Sequence, residues 1–223
     1  MLDSRRARAG DLPRLPAPPR SPWSGQLTAL PGGALPEPRN ATVQYPGGIR
    51  TRWRWAGSGR ATEVFALSEA GGTLTDHGTE VSAQPDALCR AELRVDGPGG
   101  AWSARFASTI FDDPAAIFWD SPGLLVVAYG FHTYGLQART GKLSWAHRSA
   151  TPLVGIFGSS RLAHVVVQAE IETFAIEADG EVAWRVAHSD VVAAAELIGG
   201  RLVLTSFGGE LTALDPATGR LAG

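Results

Sequence analysis

LLVVAYGFHTYGLQARTGKLSW, residues 124–145, and RLVLTSFGGELTALDPATGRLAG, residues 201–223, are two copies of one unit. Between them RLAHVVVQAEIETFAIEADGEVAW, residues 161–184, is a third and more degenerate copy. Gly141, Gly180 and Gly219 follow one another at intervals of 39 residues, and Trp145 and Trp184 are also 39 apart. A period near 40 is the signature of propellers and other repeat arrays. Each copy has the grammar of antiparallel strands. The Val/Leu-rich run 202–207 meets a glycine corner at Gly208 and Gly209, an alternating run 210–214 follows, and Asp215-Pro-Ala-Thr-Gly219 reads as a tight turn. There Asp supplies local hydrogen bonds, Pro presets φ and Gly accepts a positive φ. A short Trp-bearing strand closes the unit. With the apolar runs that open the copies, residues 152–157 and 191–198, this predicts about four strands per repeat, the size of a propeller blade.

LTALDPATGRL and YGLQARTGKLSW resemble the repeat of the PQQ-like β-propeller family, whose blades carry an Ala-(Leu/Ile)-Asp-x-x-(Thr/Asn)-Gly-x-x-x-Trp signature. The resemblance covers residues 116–223 and is closest in the final copy as far as its turn. It implies an all-β fold: a small or partial propeller of four to five four-stranded antiparallel blades, with Gly141, Trp145, Gly180, Trp184, Asp215 and Gly219 as structural repeat positions. Family members include outer-membrane assembly scaffolds and quinone-dependent dehydrogenases, so the resemblance implies a fold more than an activity. The calcium-binding carboxylates and the cysteine pair of the quinoproteins have no counterparts here. Neither a quinone cofactor nor a bound metal is expected.

Working outward, repeats are read at residues 116–149, 150–189 and 190–223, with divergent blade structure over 56–115, where a Gly-rich turn (Gly97 to Gly100) precedes Trp102. Residues 1–39 hold eight of the fifteen prolines together with Arg5, Arg6, Arg8, Arg14 and Arg20. Such a stretch cannot bury enough apolar surface to fold alone and reads as a disordered arm, leaving 40–223 as the propeller-like domain. IRTRWRW, residues 49–55, alternates Ile49, Thr51, Trp53 and Trp55 with Arg50, Arg52 and Arg54, which is the pattern of a half-buried strand. The 39-residue period puts the next repeat tryptophan at 223, where the chain has Gly223. The last blade therefore lacks most of its Trp-bearing strand, and residues 49–55 are expected to pair with it, Trp53 standing in for the absent repeat tryptophan.

With 223 residues, 44% hydrophobic, the chain has ample material for one core. A net charge of −2 with interspersed signs gives no basis for a nucleic-acid partner. Cys89, the single cysteine, makes an intramolecular disulfide impossible and reads as a small buried apolar residue. No 18-residue apolar run occurs, and the N-terminus lacks the apolar core of a secretory signal, so a cytoplasmic protein without a membrane span is expected. No nucleophile elbow, phosphate loop or metalloprotease helix is present, and Asp112-Asp113-Pro reads as a turn, not a carboxylate pair.

His147 and His188 begin the loops that follow the Trp strands, and in a propeller such loops gather on one face. They are binding-face candidates there, beside Asp190 and Glu170, as are Arg52 and Arg54 on the arginine face of 49–55. The function expected is a non-catalytic scaffold that contacts a protein partner through its loop face. The alternatives are a small-ligand or sugar sensor and an enzyme using the central funnel.

Overall fold

The computed structural model describes residues 38–60 and 72–222. The proline-rich arm expected over 1–39 lies outside the described residues except for Pro38 and Arg39. Sixteen β-strands and three single-turn 3-10 segments make up the described residues, arranged in four sheets.

The first sheet contains β1 (Arg39–Tyr45), β2 (Ile49–Ala56), β3 (Thr73–Asp76), β4 (Cys89–Gly97) and β5 (Gly100–Ser108). Its spatial order is β1-β2-β4-β5-β3, antiparallel except for β3, which runs parallel to β5. The second holds β6 (Ala115–Trp119), β7 (Leu124–Tyr129), β8 (His132–Gln137) and β9 (Leu143–Arg148), the third β10 (Leu153–Phe157), β11 (Val165–Ala169), β12 (Glu172–Ile176) and β13 (Val182–Ala187). Both are antiparallel meanders in chain order, the blade of a β-propeller. The fourth holds β14 (Val192–Ile198), β15 (Arg201–Ser206) and β16 (Leu211–Leu214), with only a Leu214–Leu221 bridge where a fourth strand would run.

The pairing proposed for residues 49–55 is overturned. β2 pairs with β1 and β4, Trp53 facing Ala41 and Leu93, not with the last sheet. Pro46-Gly47-Gly48 turns β1 tightly into β2, with Gly47 and Gly48 at φ 74° and 76°, so the local hairpin forms at a far smaller loop-closure cost than a partner 150 residues away. The first blade therefore begins at Arg39, ahead of the stretch 56–115 assigned to it from sequence. Arg39, placed in the arm from sequence, donates to the Asp113 carboxylate at 2.8 Å.

The sheets pack in succession, and hydrophobic patterning shows why. β2, exposed on one face only, buries Ile49, Thr51, Trp53 and Trp55 and turns its arginines outward. β7, sandwiched between two sheets, is apolar throughout: Leu125, Val127 and Tyr129 join the core with the first sheet, Leu124, Val126 and Ala128 the core with the third. Strands covered on both faces lose the alternation that marks a half-buried one. Cys89 is buried and unpaired in a disulfide.

Tryptophans and glycines fasten each sheet to the next. Trp102 on β5 lies against Gly141, Trp145 on β9 against Gly180, and Trp184 on β13 against Gly219. A Cβ on any of these glycines would fall 2.5–2.6 Å from the indole side chain. All three glycines have positive φ (73°, 96° and 71°), so the turn and the close approach both require the missing side chain. The Trp102 indole N–H donates to the Ala138 carbonyl at 2.9 Å and that of Trp145 to the Ala178 carbonyl at 3.1 Å. At the third junction His164 intervenes, its Nε2 2.7 Å from the Pro216 carbonyl, which can only accept, and 3.3 Å from the Trp184 indole nitrogen. Asp215 holds that last turn by accepting from Ala217 N–H at 2.8 Å and from the Thr218 hydroxyl at 3.1 Å.

Candidate partner-binding face

Because the docking turns occupy one end of the array, the opposite end collects the turns between second and third strands and the connections from sheet to sheet. Hydrogen bonds stitch these together. Ser149 N–H donates to the Phe131 carbonyl, Leu153 to Gly130, His188 to Ile171, Val192 to Glu170, and Phe207 to Val191, at 2.6–2.8 Å. His147, His188, Asp190 and Glu170 all lie at this end. Arg52 and Arg54 do not: they point from the outward face of the first sheet, where Arg52 pairs with Asp96 at 3.0 Å. Arg94 also reaches Asp96, Arg105 reaches Glu92, and Arg90 reaches Asp76.

The two histidines are not brought together, and only His188 begins a loop as expected, because β9 runs on through His147 to Arg148. His147 on β9 sits 4.8 Å from the Phe174 ring, between the second and third sheets. His188 lies on the other side of the third sheet, with Nε2 2.6 Å from the Thr173 hydroxyl. That hydroxyl donates to the Gln168 side-chain carbonyl, so His188 is the donor to Thr173 and carries its proton on Nε2. Burial lowers the pKa of His188, and burial followed by the Arg185 charge lowers that of His147, so both rings are held neutral more firmly than free imidazole. Among the described residues no three His, Cys, Asp or Glu side chains are grouped to hold a metal ion. Asp190 is a structural cap. Its carboxylate accepts from Gly208 N–H at 3.1 Å and Val191 N–H at 2.8 Å, and these bonds, with one from Ser206, hold its pKa below the ordinary value. Glu170 contributes through its backbone, at the Val192 contact.

A cluster that sequence reasoning missed lies at the rim of the junction of the second and third sheets. Arg185 on β13 lies over the Phe174 ring at 5.5 Å, 3.4 Å from the Glu172 carboxylate and 3.4 Å from His147 Nε2. Ser149 donates to the other Glu172 oxygen at 3.1 Å. The signal available was register: Phe174 on β12 lies directly across from Arg185 on β13, and Glu172, two residues earlier on the same face, lies across from Ala187. At the next junction the cleft between the third and fourth sheets stays open, a groove of about 310 Å³ lined by Val186, His188, Asp190, Leu204, Glu210 and Thr212 among others.

Apolar side chains protrude from the same end. Ile171, Val191 and Phe207 are 41%, 40% and 83% exposed. The bonds from Val192 to Glu170, next to Ile171, and from Phe207 to Val191 bring the three loops side by side.

Asp112 and Asp113 lie in the link from first to second sheet, in extended chain and not in the turn read from sequence, and Asp113 has a second task. It accepts from the Trp55 indole N–H at 2.9 Å as well as from Arg39. Asp112 is pushed up to about 6, chiefly by burial, with the neighbouring Asp113 charge adding to it. The folded state binds this proton more tightly than the unfolded chain, so Asp112 costs stability as pH rises from 3.8 to 6 and the full cost stands at pH 7. Asp112→Asn is expected to stabilise the protein at pH 7 by at most about 3 kcal/mol, two pKa units at about 1.4 each, with the gain vanishing near pH 4. Denaturant titrations at the two pH values check this. Equal effects at both would show that Asp112 does not titrate in this window.

The sheet grammar and the docking contacts define a protein of β-propeller repeats. Over residues 101–222 the chain matches the family model described as outer membrane protein assembly factor BamB, and the protein belongs to this PQQ-like repeat family. No curated protein matches the chain. Among solved structures, BamB from Moraxella catarrhalis is 16% identical over 49% of this chain and 36% of its own, with a TM-score of 0.39. The Neurospora crassa Pan2 WD40 domain is 16% identical over 61% and 45%, TM-score 0.43. HIRA(644-1017) is 13% identical over 86% and 55%, TM-score 0.45. The chain thus spans 36% to 55% of the lengths of these structures. No helix among the described residues is long and apolar enough to cross a membrane.

Proposed function

We propose that the protein is a non-catalytic scaffold module that holds a protein partner on the loop end of its blades. The observation that carries this reading is the apolar ridge of Ile171, Val191 and Phe207, set on three successive loops. Contiguous exposed apolar side chains ringed by polar groups mark protein contact sites, and loops on a rigid sheet scaffold are where such contacts are built. Membership in the BamB family supports the same reading. The non-catalytic reading is supported by the engagement of His147, His188, Asp190 and Glu172 in structural hydrogen bonds, which leaves none of them poised as a free acid or base.

The test is site-specific photo-crosslinking in extract of the native host, with the photoreactive residue at Phe207 or, as a control, at Arg139 near the opposite end. A discrete adduct is expected from position 207 and none from 139. Adducts of equal yield from both ends, or none from either, would sink the proposal.

A further inference from the structure

We infer that the cleft between the second and third sheets, at the end of the array opposite the apolar ridge, is a binding site for a pyranose sugar ring.

The cleft has a volume of about 310 Å³, at the lower end of the range for small-molecule sites, and both its walls belong to sheets that hold all four strands. One wall is the end of β6 and the turn after it, with Ile117, Trp119, Asp120 and Ser121. The other is the link from β10 to β11, residues 158–164. The first-to-second links of the other sheets are shorter, at 46–48, 120–123 and 199–200. The longer link places Ser159, Ser160 and Leu162 along the cleft. Its shape is held from within: the Ser159 carbonyl accepts from Leu162 N–H at 3.0 Å, and the Ser159 hydroxyl accepts from Arg161 N–H at 3.2 Å. Gly158 lets the link leave β10 close against β6, since a Cβ there would fall 2.8 Å from Ile117 Cδ1. His164, buried, is fixed in the same wall by the contact of its Nε2 with the Pro216 carbonyl. A long loop on a rigid sheet scaffold is where binding sites are built.

The lining selects the ligand. Successive strand residues face opposite sides of a sheet. Phe118 accordingly packs on the core shared with the first sheet, and Trp119 on the core shared with the third. The cleft therefore offers one aromatic face and not the cage of several rings that suits an organic cation. A single indole suits the C–H face of a pyranose, whose polarised hydrogens meet the electron-rich face of the ring. The polar groups beside it complement hydroxyls. The Asp120 carboxylate accepts through two oxygens, and the hydroxyls of Ser121, Ser159 and Ser160 both donate and accept. Among the described residues the Asp120 carboxylate and the hydroxyls of Ser121 and Ser160 have no hydrogen-bond partner. No lysine or arginine lines the cleft, so nothing there balances the charge of an anionic ligand.

The probes are methyl β-D-glucopyranoside and its galacto epimer, each titrated into the full chain and followed in 1H–15N spectra. Tetramethylammonium is the cation comparison. Saturable shifts are expected with at least one sugar at the amides of 119–121 and 158–164 and at the Trp119 indole N–H, the cross-peak that Trp119→Phe removes. Tetramethylammonium should leave these signals in place. Asp120→Ala should weaken sugar binding about tenfold, through loss of the charge-assisted hydrogen bonds from the ring hydroxyls. Asp120 is exposed, so the variant is expected to fold, and unshifted amides in the other sheets check that it does. No saturable shift with either sugar, saturable shifts confined to other residues, an equal response to tetramethylammonium, or binding unchanged by Asp120→Ala would each overturn the inference. A crosslink at Phe207 reports the other end of the array, so failure here and failure of the scaffold reading are separate results.

Discussion

Trp102→Ala is expected to lower the unfolding free energy by about 3–5 kcal/mol, the range for emptying a large aromatic site that cannot collapse. The side chain is 2% exposed and lies between the first and second sheets. Its removal deletes the indole bond to the Ala138 carbonyl and leaves that acceptor at a buried junction. It also opens a void against Gly141, where the backbone is fixed by the turn and cannot move in to fill it. Guanidinium titration with an unchanged m-value checks the prediction. A loss below about 1 kcal/mol would mean that Trp102 does not fasten the two sheets.

An equal loss, about 3–5 kcal/mol, is expected for Trp53→Ala. Trp53 is 3% exposed, and its ring lies 5.9 Å from that of Phe106 within the core shared by the first two sheets. Since β2 lies between β1 and β4, the cavity would open in the middle of a sheet, and the whole first blade should loosen. Hydrogen exchange would then accelerate in β1, β2 and β4 while the third and fourth sheets keep their protection. Protection lost equally in the fourth sheet would favour the discarded pairing of Trp53 with the last blade.

That discarded pairing shows what the sequence can and cannot specify. Alternation in IRTRWRW was enough to establish which side of the strand is buried, because period two is a local property. The strand's neighbours were not legible, because a half-buried strand with one apolar face fits any open sheet edge. What selects β1 is Pro46-Gly47-Gly48, whose positive-φ glycines close a hairpin. The repeat glycines and tryptophans were legible for the opposite reason. Each pair must satisfy both a turn and a close contact, so the residue types persist where the rest of the copy drifts.

The candidate site was half legible. His147, His188, Asp190 and Glu170 share an end of the array, although His147 lies within β9 and not in the loop after it. Their side chains nonetheless serve different junctions, since His147 and His188 lie on opposite sides of one sheet. Glu172, Phe174 and Arg185 escaped notice although they lie on adjacent strands, because the β12–β13 register, with its shift next to Ala175, decides which residues meet and is not written in the local pattern. The ridge of Ile171, Val191 and Phe207 was hidden in apolar runs that read as strand interior, and only the loop positions leave these three exposed.

The claim that tryptophan docking on glycine holds the blades together is tested most directly by a double-mutant cycle on Trp102 and Gly141. Gly141→Ala adds a methyl group 2.5 Å from the indole and imposes a φ of 73° on a residue with a Cβ, so it should destabilise strongly when Trp102 is present. With Trp102 already replaced by alanine, only the backbone strain remains, about 1 kcal/mol. The double variant is therefore expected to lose less stability than the two single losses added together, by at least about 1 kcal/mol. Losses that simply add would contradict the account, because they would mean that the ring does not rest on Gly141 in solution.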